Sequence, residues 1–305
     1  MFNNIKSNFI LDIVFKKYLK GKNYLTIIKH NKRLQKRLNI SLEDYKTFKK
    51  IEIDITPIKE LEDPNEKYIF ININEKDRKY YHIYFNSNLK EEINRTYITN
   101  SDNIQKIKIV IDEEVNSLSE LFNNCSCLES INFTKFNRYN ITNMTKIFRE
   151  CDELINLNIS ELITNNVENM SYMFNACNKL KELNLSNFDT SNVKNMRFMF
   201  SGCSSLVELN LKNFKTKNVT NMSNMFSACY SLKKLNISSF DTSNVTHMNE
   251  MFFNCKSLIN LDIRNLNITS KCITTNIFAF CSEELWEQIK SQNNNLEYKP
   301  FEEYY

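Results

Sequence analysis

Glycine, histidine and long apolar runs are scarce in this chain, and each scarcity excludes a class of function. There are only two glycines, three prolines, one tryptophan and three histidines among 305 residues. There is no glycine-rich phosphate loop, and His30, His82 and His247 are scattered, so none of the usual catalytic constellations can be assembled. No run is apolar enough to span a membrane, and residues 1–20 lack the features of a signal peptide. The sequence therefore predicts a non-enzymatic, cytoplasmic protein with no cofactor, metal, small-molecule substrate or transmembrane segment.

The scarcity of glycine leaves asparagine as the main residue for tight turns. Asparagine tolerates left-handed backbone better than other non-glycine residues. Two rows of asparagines recur at a fixed interval, and we predict that they bond backbone groups in successive turns rather than a ligand. The rows are Asn140, Asn166, Asn192, Asn218, Asn244 and Asn143, Asn169, Asn195, Asn221, with His247 in the last place of the second row.

Cysteine recurs at a constant interval of 26 residues. Phenylalanines three residues before the cysteines and leucines three residues after them keep the same register, with no insertion or deletion. A fixed period of this size is the signature of a stacked repeat architecture. The cysteines are Cys125, Cys151, Cys177, Cys203, Cys229, Cys255 and Cys281.

The repeating thiols are predicted to be buried and unpaired, because free cysteine packs as a small hydrophobe. A zinc ion would need four sulfurs around one point, whereas stacked repeats spread the thiols along a line. Disulfides between neighbouring repeats would need a closer approach of the Cβ atoms than the spacing of stacked strands allows.

Each repeat has two hydrophobic periods. The first follows the one-sided pattern of a helix, and the second alternates as in a strand with one buried face. One unit cannot bury its own core, so the units must stack, with their strands in one parallel sheet. The predicted helix face of one unit carries Met196, Met199, Phe200 and Cys203, and the strand face carries Leu209 and Leu211.

The run Asn-Val-Thr-Asn-Met-Ser-Asn-Met-Phe-Ser-Ala-Cys-Tyr-Ser-Leu-Lys-Lys-Leu-Asn-Ile-Ser-Ser-Phe-Asp-Thr-Ser-Asn-Val begins at Asn218. It resembles the BspA-type leucine-rich repeat, and the resemblance covers about Val115 to Cys281. The family implies an α/β fold, a right-handed leucine-rich-repeat solenoid of 26-residue helix–strand units. It also implies a binding or adhesive role without catalytic residues.

Residues 1–50 differ from the repeats in charge, with a net charge of +10 against +4 for the whole chain. Their apolar positions predict two or three short helices. The runs Ile10 to Leu19, Leu25 to Lys32 and Leu34 to Leu38 resemble an F-box, which docks a ubiquitin-ligase core while the following repeats select a substrate. A helical cap for the repeats and a basic patch for nucleic acid or acidic lipid remain open. No nucleic-acid motif accompanies the charge.

The remaining segments complete the predicted organisation. Alternating β-branched residues between the basic segment and the repeats indicate strands. One of them, Ile107 to Ile111, lies about one period before Ile131 and is predicted to be the first strand of the repeat sheet. A serine followed by acidic residues predicts the start of a C-terminal helix over the last repeat. The segments are a basic helical, F-box-like segment (1–50), a β-rich connector and N-terminal cap (51–117), the solenoid (118–281), and a capping helix and tail (282–305).

The predicted strands carry two rows of outward-facing side chains, and the two rows indicate different roles. One row is almost uniformly asparagine, which suits a structural role. The other changes charge from unit to unit, and we predict that its members Glu182, Glu208 and Lys234 contribute to a partner-binding patch. The leading function is an intracellular protein–protein interaction scaffold on the sheet face, with a ubiquitin-ligase substrate adaptor as its narrower form. The alternative is a surface or host-contact adhesin of the BspA type.

Overall fold

Short strands and turns make up most of the structure. It is a computed structural model that describes residues 32–38, 42–61, 63, 66–268 and 271–292. The helices within these ranges are α1 (Lys32–Leu38), α2 (Leu42–Lys49) and α3 (Glu283–Gln292), with 3-10 turns at Glu75–Tyr80 and Asn100–Asp102. The strands are β1 (Ile51–Pro57), β2 (Tyr68–Ile69), β3 (Tyr81–Phe85), β4 (Tyr97–Ile98), β5 (Ile107–Ile111), β6 (Leu128–Phe136), β7 (Asn156–Asn158), β8 (Glu208–Asn210) and β9 (Lys234–Asn236).

Alternating isoleucines form strands before the repeats, as the sequence predicts. Ile53, Ile83 and Ile109 are fully buried, while the residues between them on β1, β3 and β5 are partly exposed. The five-stranded sheet has the order β3-β5-β1-β6-β7. The assignment of β5 as the first strand of the repeat sheet is wrong, because β1 lies between β5 and β6 and pairs antiparallel with both. Spacing along the chain places a strand near the repeats, but it does not specify which strand pairs with the first one.

The repeat units contain no helix within the described part of residues 118–281. The segment that carries the helix-like period is a series of turns, because two residues in each unit have a left-handed backbone. In the unit around Cys203 these are Phe198 at φ 57° and Gly202 at φ 76°. An α-helix requires every residue to be right-handed, so two left-handed residues within five positions interrupt it.

Each turn segment has short-range bonds between residues three apart, as from Met199 to Met196, and it also bonds to the next unit. In each unit four alternate backbone N–H groups donate to carbonyls of the next unit, at 2.7–3.3 Å. Phe198, for example, donates to Ser223, and Phe200 donates to Met225. Six successive junctions contain 24 such bonds, all pointing in the same direction along the stack. We call this set of bonds the turn ladder.

Strand pairing between units is short and interrupted. β6 pairs parallel with β7, and β8 pairs parallel with β9, over three residues each. Further parallel contacts between units are single bridges, such as Asn195 with Asn221. The predicted right-handed leucine-rich-repeat solenoid of helix–strand units is therefore wrong. The described residues form small mixed sheets with stacked turns between them, because the Met-Phe segment combines turns between residues three apart with hydrogen bonds to the next unit.

The core consists of rows of identical side chains. Seven phenylalanines stack in sequence with ring centroids 5.1–6.0 Å apart and nearly parallel planes. Met196, Met199 and Leu209 of one unit are buried beside this row, which confirms their inward placement. The stacked rings are Phe122, Phe148, Phe174, Phe200, Phe226, Phe252 and Phe278.

The cysteine row satisfies buried carbonyls. From Cys151 onward each Sγ lies 3.0–3.1 Å from the carbonyl oxygen of the phenylalanine 29 residues earlier, and the thiol donates to it. Cys125 through Cys255 are buried, which confirms that prediction, whereas Cys281 is partly exposed. Burial raises the pKa of the Cys203 thiol to about 12. These thiols are therefore small neutral donors within the core.

Both asparagine rows bond backbone groups, as predicted. In the first row the side-chain Nδ2 of Asn192 donates to the Asn165 carbonyl at 2.6 Å, and Asn218 bonds in the same way. In the second row Asn195 Oδ1 accepts the backbone N–H of Arg197. The left-handed positions, however, lie on other rows and carry residues as bulky as phenylalanine. Stacking against the neighbouring unit imposes this backbone, so residue preference did not locate it.

The stack is closed by different devices at its two ends. At the N-terminal end β1 covers the strand side, and Asn72 donates to the carbonyls of Leu121 and Asn123 on the turn side. At the C-terminal end α3 lies over the last unit, as predicted. Its Gln288 and Gln292 accept from the backbone N–H groups of residues 261 and 263, at 3.0 and 2.8 Å. These glutamines replace the next strand.

A histidine between two carboxylates makes the N-terminal sheet sensitive to pH. His82 Nδ1 lies 3.1 Å from Glu92, and its Nε2 lies 3.0 Å from Asp112. Burial disfavours the charged ring, but the hydrogen bonds to Asp112 and Glu92 outweigh burial and raise the pKa of His82. A raised histidine pKa stabilises the fold fully below the unfolded pKa of about 6.5, and this contribution is lost as pH rises through the folded pKa.

Substituting His82→Gln should therefore destabilise the protein more at pH 5.5 than at pH 8.5. Urea unfolding at a series of pH values measures this difference. His247→Gln is the matched control, because His247 is exposed and its ring bonds the adjacent Thr246. A destabilisation by His82→Gln that is equal at both pH values would contradict the assigned role of the imidazolium.

Candidate interaction site

A groove crosses the strand side of the stack. Its volume is about 1060 Å³, and it extends over the strand segments of four successive units. Residues of β8 and β9 form its centre, and the segments 181–184 and 260–262 form its two ends. The predicted partner-binding residues Glu182, Glu208 and Lys234 all line this groove.

The strand period places the groove side chains. Leu209 and Leu235 point into the core, and the residues on either side of each leucine are exposed. Parallel pairing sets Glu208 beside Lys234. Side chains 26 residues apart therefore form rows across the groove floor.

Each asparagine of the groove row bonds the backbone through one side-chain atom, Oδ1. In each unit the Oδ1 atom accepts the N–H two residues later, as Asn210 does from residue 212 at 3.2 Å and Asn236 from residue 238 at 3.1 Å. These contacts stabilise the turn that follows each strand. No described residue accepts from the Nδ2 groups of Asn184, Asn210 or Asn236, which therefore stand as donors on the groove floor.

Only some of the charged side chains in the groove form ion pairs. Lys234 Nζ lies 2.5 Å from Glu208. Glu182, Lys181 and Lys233 have no ion-pair partner among the described residues. Exposed pairs of this kind contribute between zero and about 1 kcal/mol to stability, so the charges are available for recognition at little structural cost.

The sequence reasoning missed two further parts of the groove. The row before each strand alternates apolar and basic residues: Ile155, Lys181, Val207, Lys233 and Ile259. Val207 is 39% exposed, and it lies in the groove beside Lys181 and Lys233. The 26-residue spacing could have shown this row. At the far end the guanidinium of Arg264 holds the pKa of Asp262 at about 2.

Polar, charged and aliphatic side chains line the groove. Its lining contains Asn, Glu, Asp, Lys and Ser with aliphatic residues, and it contains no cysteine or histidine. No group of three or more His, Cys, Asp or Glu residues is arranged to hold a metal ion within the described residues. Within the same ranges, no helix is both long enough and apolar enough to cross a membrane.

Comparisons with known proteins agree with the repeat pattern. Residues 116–209 and 184–291 match the family described as Mycoplasma protein of unknown function, DUF285. The matched part is more than half of the chain, and the protein belongs to this family. The match is consistent with the resemblance to BspA-type repeat proteins. No curated protein and no solved structure matches the chain.

The family match begins after the F-box-like segment, so it offers no support for that resemblance. Most of residues 1–50 lie outside the described part of the chain, which contains only α1, α2 and Lys50 of that segment. The F-box interpretation therefore stays a prediction.

Proposed function

We propose that this protein is a non-enzymatic protein–protein interaction scaffold whose partner binds in the strand groove. The observation that supports the proposal is the contrast between the two rows on the groove floor. The asparagines repeat unchanged because each stabilises its own turn. The row of Glu182, Glu208 and Lys234 varies in charge although its members occupy equivalent positions of the repeat.

Charges that vary at equivalent positions of the repeat suit selection between partners. A purely structural row would be expected to repeat, as the asparagines and phenylalanines do. Charged groups at the edge of an interface mainly set specificity and association rate. Val207 adds exposed apolar surface beside Lys181 and Lys233, so a partner could combine apolar contact with charge pairing.

The test reverses the three charges together in the variant Glu182→Lys, Glu208→Lys, Lys234→Glu. The pair between positions 208 and 234 survives with its signs exchanged, so the melting temperature should be unchanged within about 2 °C. We expect at least one protein captured from an extract of the native cell to bind about tenfold less. Affinity capture with quantitative mass spectrometry measures this change.

The matched control is Glu114→Lys, Glu161→Lys, Lys217→Glu, which makes the same charge change at exposed positions outside the groove. This variant should retain every partner. If the groove variant also retains every partner at the original level, the groove is not the binding surface and the proposal is wrong.

The narrower adaptor role depends on residues 1–50, and the adhesin role depends on exposure of the protein at a cell surface. The same capture experiment separates them. Ubiquitin-ligase core subunits lost on deletion of residues 1–50 would favour the adaptor. Labelling of intact cells with a membrane-impermeant reagent would favour the adhesin.

A further inference from the structure

The turn ladder ends in an edge that offers only donors. In the last unit, Thr274, Asn276 and Phe278 stand where Met248, Glu250 and Phe252 stand one unit earlier. The earlier three donate their N–H groups to carbonyls at 2.8–2.9 Å. No described residue accepts from the N–H groups of the later three. We call these three N–H groups the donor edge.

No described residue accepts from the donor edge, although Trp286 of α3 packs against the ring of Phe278, with ring centroids 6.2 Å apart. β1 and Asn72 cover the N-terminal end, and Gln288 and Gln292 cover the strand side of the C-terminal end. Unpaired, aligned backbone groups at a sheet edge are a ready template for another chain.

The charge distribution at the donor edge favours an anionic ligand. Because all 24 bonds of the turn ladder point the same way, their peptide dipoles add, as they do along a helix. The positive end of this array lies at the N–H groups of Thr274, Asn276 and Phe278. Successive backbone N–H groups of this kind form sites for anionic oxygen. Lys271 is exposed near the edge and adds positive charge.

The edge also has an apolar border. Ile273 is 48% exposed and Phe280 is 39% exposed. Donors on alternate residues fit the alternate carbonyls of an extended chain, as in the addition of a strand to a sheet edge. The border would then contact apolar side chains of that chain.

A second copy of this protein does not supply acceptors for all three N–H groups of the donor edge. Pairing two donor edges would place N–H groups against N–H groups. Pairing a donor edge with the opposite end of another copy would require the carbonyls of Ser117, Ser119 and Leu121, and the Leu121 carbonyl already accepts the backbone N–H of Asn72. The acceptors must come from a different chain segment.

We propose that the donor edge binds an extended, acidic segment of a partner protein, which supplies backbone carbonyls and carboxylates to Thr274, Asn276 and Phe278. This site lies on the turn side of the stack and is separate from the groove.

The test uses the full-length protein and two synthetic peptides, one with alternating glutamate and valine and one with glutamine in place of glutamate. NMR of the backbone amides follows binding. We expect the acidic peptide to shift the three edge amides in a saturable manner and to slow their hydrogen exchange about tenfold. The glutamine peptide should bind at least about tenfold more weakly, and added salt should weaken the acidic peptide.

The variant Lys271→Glu, Thr275→Glu places negative charge at the edge and should weaken the acidic peptide about tenfold. The control Thr142→Glu, Lys217→Glu makes the same charge change at exposed positions elsewhere and should bind normally. Equal binding of both peptides, or no response of the edge amides, would overturn the proposal. Slow exchange of these amides in the protein alone would also overturn it, because the chain would then supply its own acceptor.

Discussion

Replacing Phe200 by alanine should lower the free energy of unfolding by about 3–5 kcal/mol, the usual range for a buried aromatic residue. Phe200 is fully buried and stacks on Phe174 at 5.5 Å and on Phe226 at 5.6 Å. Removing the ring leaves a cavity shared by three units and interrupts the row of stacked rings between Phe174 and Phe226. Urea unfolding followed by circular dichroism measures the change.

The neighbouring units provide the internal check on this prediction. The backbone N–H groups of residues 174 and 200 donate across the junctions on either side of the lost ring. Their hydrogen exchange should accelerate with the loss of stability. Lys217→Ala is the surface control and should change stability by less than about 0.5 kcal/mol. Similar small effects of the two substitutions would show that the phenylalanine row does not carry the packing.

Native Cys177, Cys203 and Cys229 should react with a thiol reagent about three orders of magnitude more slowly than the same thiols in urea. All three are fully buried, and burial raises their pKa values, so the reactive thiolate is both scarce and inaccessible. Mass spectrometry of labelled peptides over time identifies each site.

Cys272 serves as the reference within the same molecule. It is partly exposed, and it should be the first of these thiols to react in the native protein. Rapid native labelling of the three row cysteines at the rate of Cys272 would contradict their place in the core.

The positions of the buried residues could be read from the sequence because periodicity reports which side chains share an environment. The rows of Phe, Cys, Met and Leu are buried as expected. The Met-Phe segment has the i, i+3, i+4, i+7 spacing of a helix, yet its backbone turns left at Phe198 and Gly202. A series of turns that each bring a side chain inward produces the same spacing, so the period alone does not distinguish the two structures.

The groove, too, could be predicted from the sequence only in part. Glu182, Glu208 and Lys234 were predicted from a strand pattern and a row that varies between units, and both are properties of the sequence. Val207, Lys181 and Lys233 were placed in the groove by the structure, although their 26-residue spacing is visible in the sequence. The donor edge had no sequence signal, because it consists of backbone N–H groups.

The sequence by itself determined the 26-residue register and the buried rows. These follow from side-chain chemistry repeated at a fixed interval, which is visible without coordinates. Only the tertiary structure decided that β1 pairs with the first repeat strand, that the Met-Phe segment bonds between units, and that no described residue accepts from the N–H groups at the end of the turn ladder. Backbone hydrogen bonds between distant segments decide these features, and the backbone is chemically the same at almost every position.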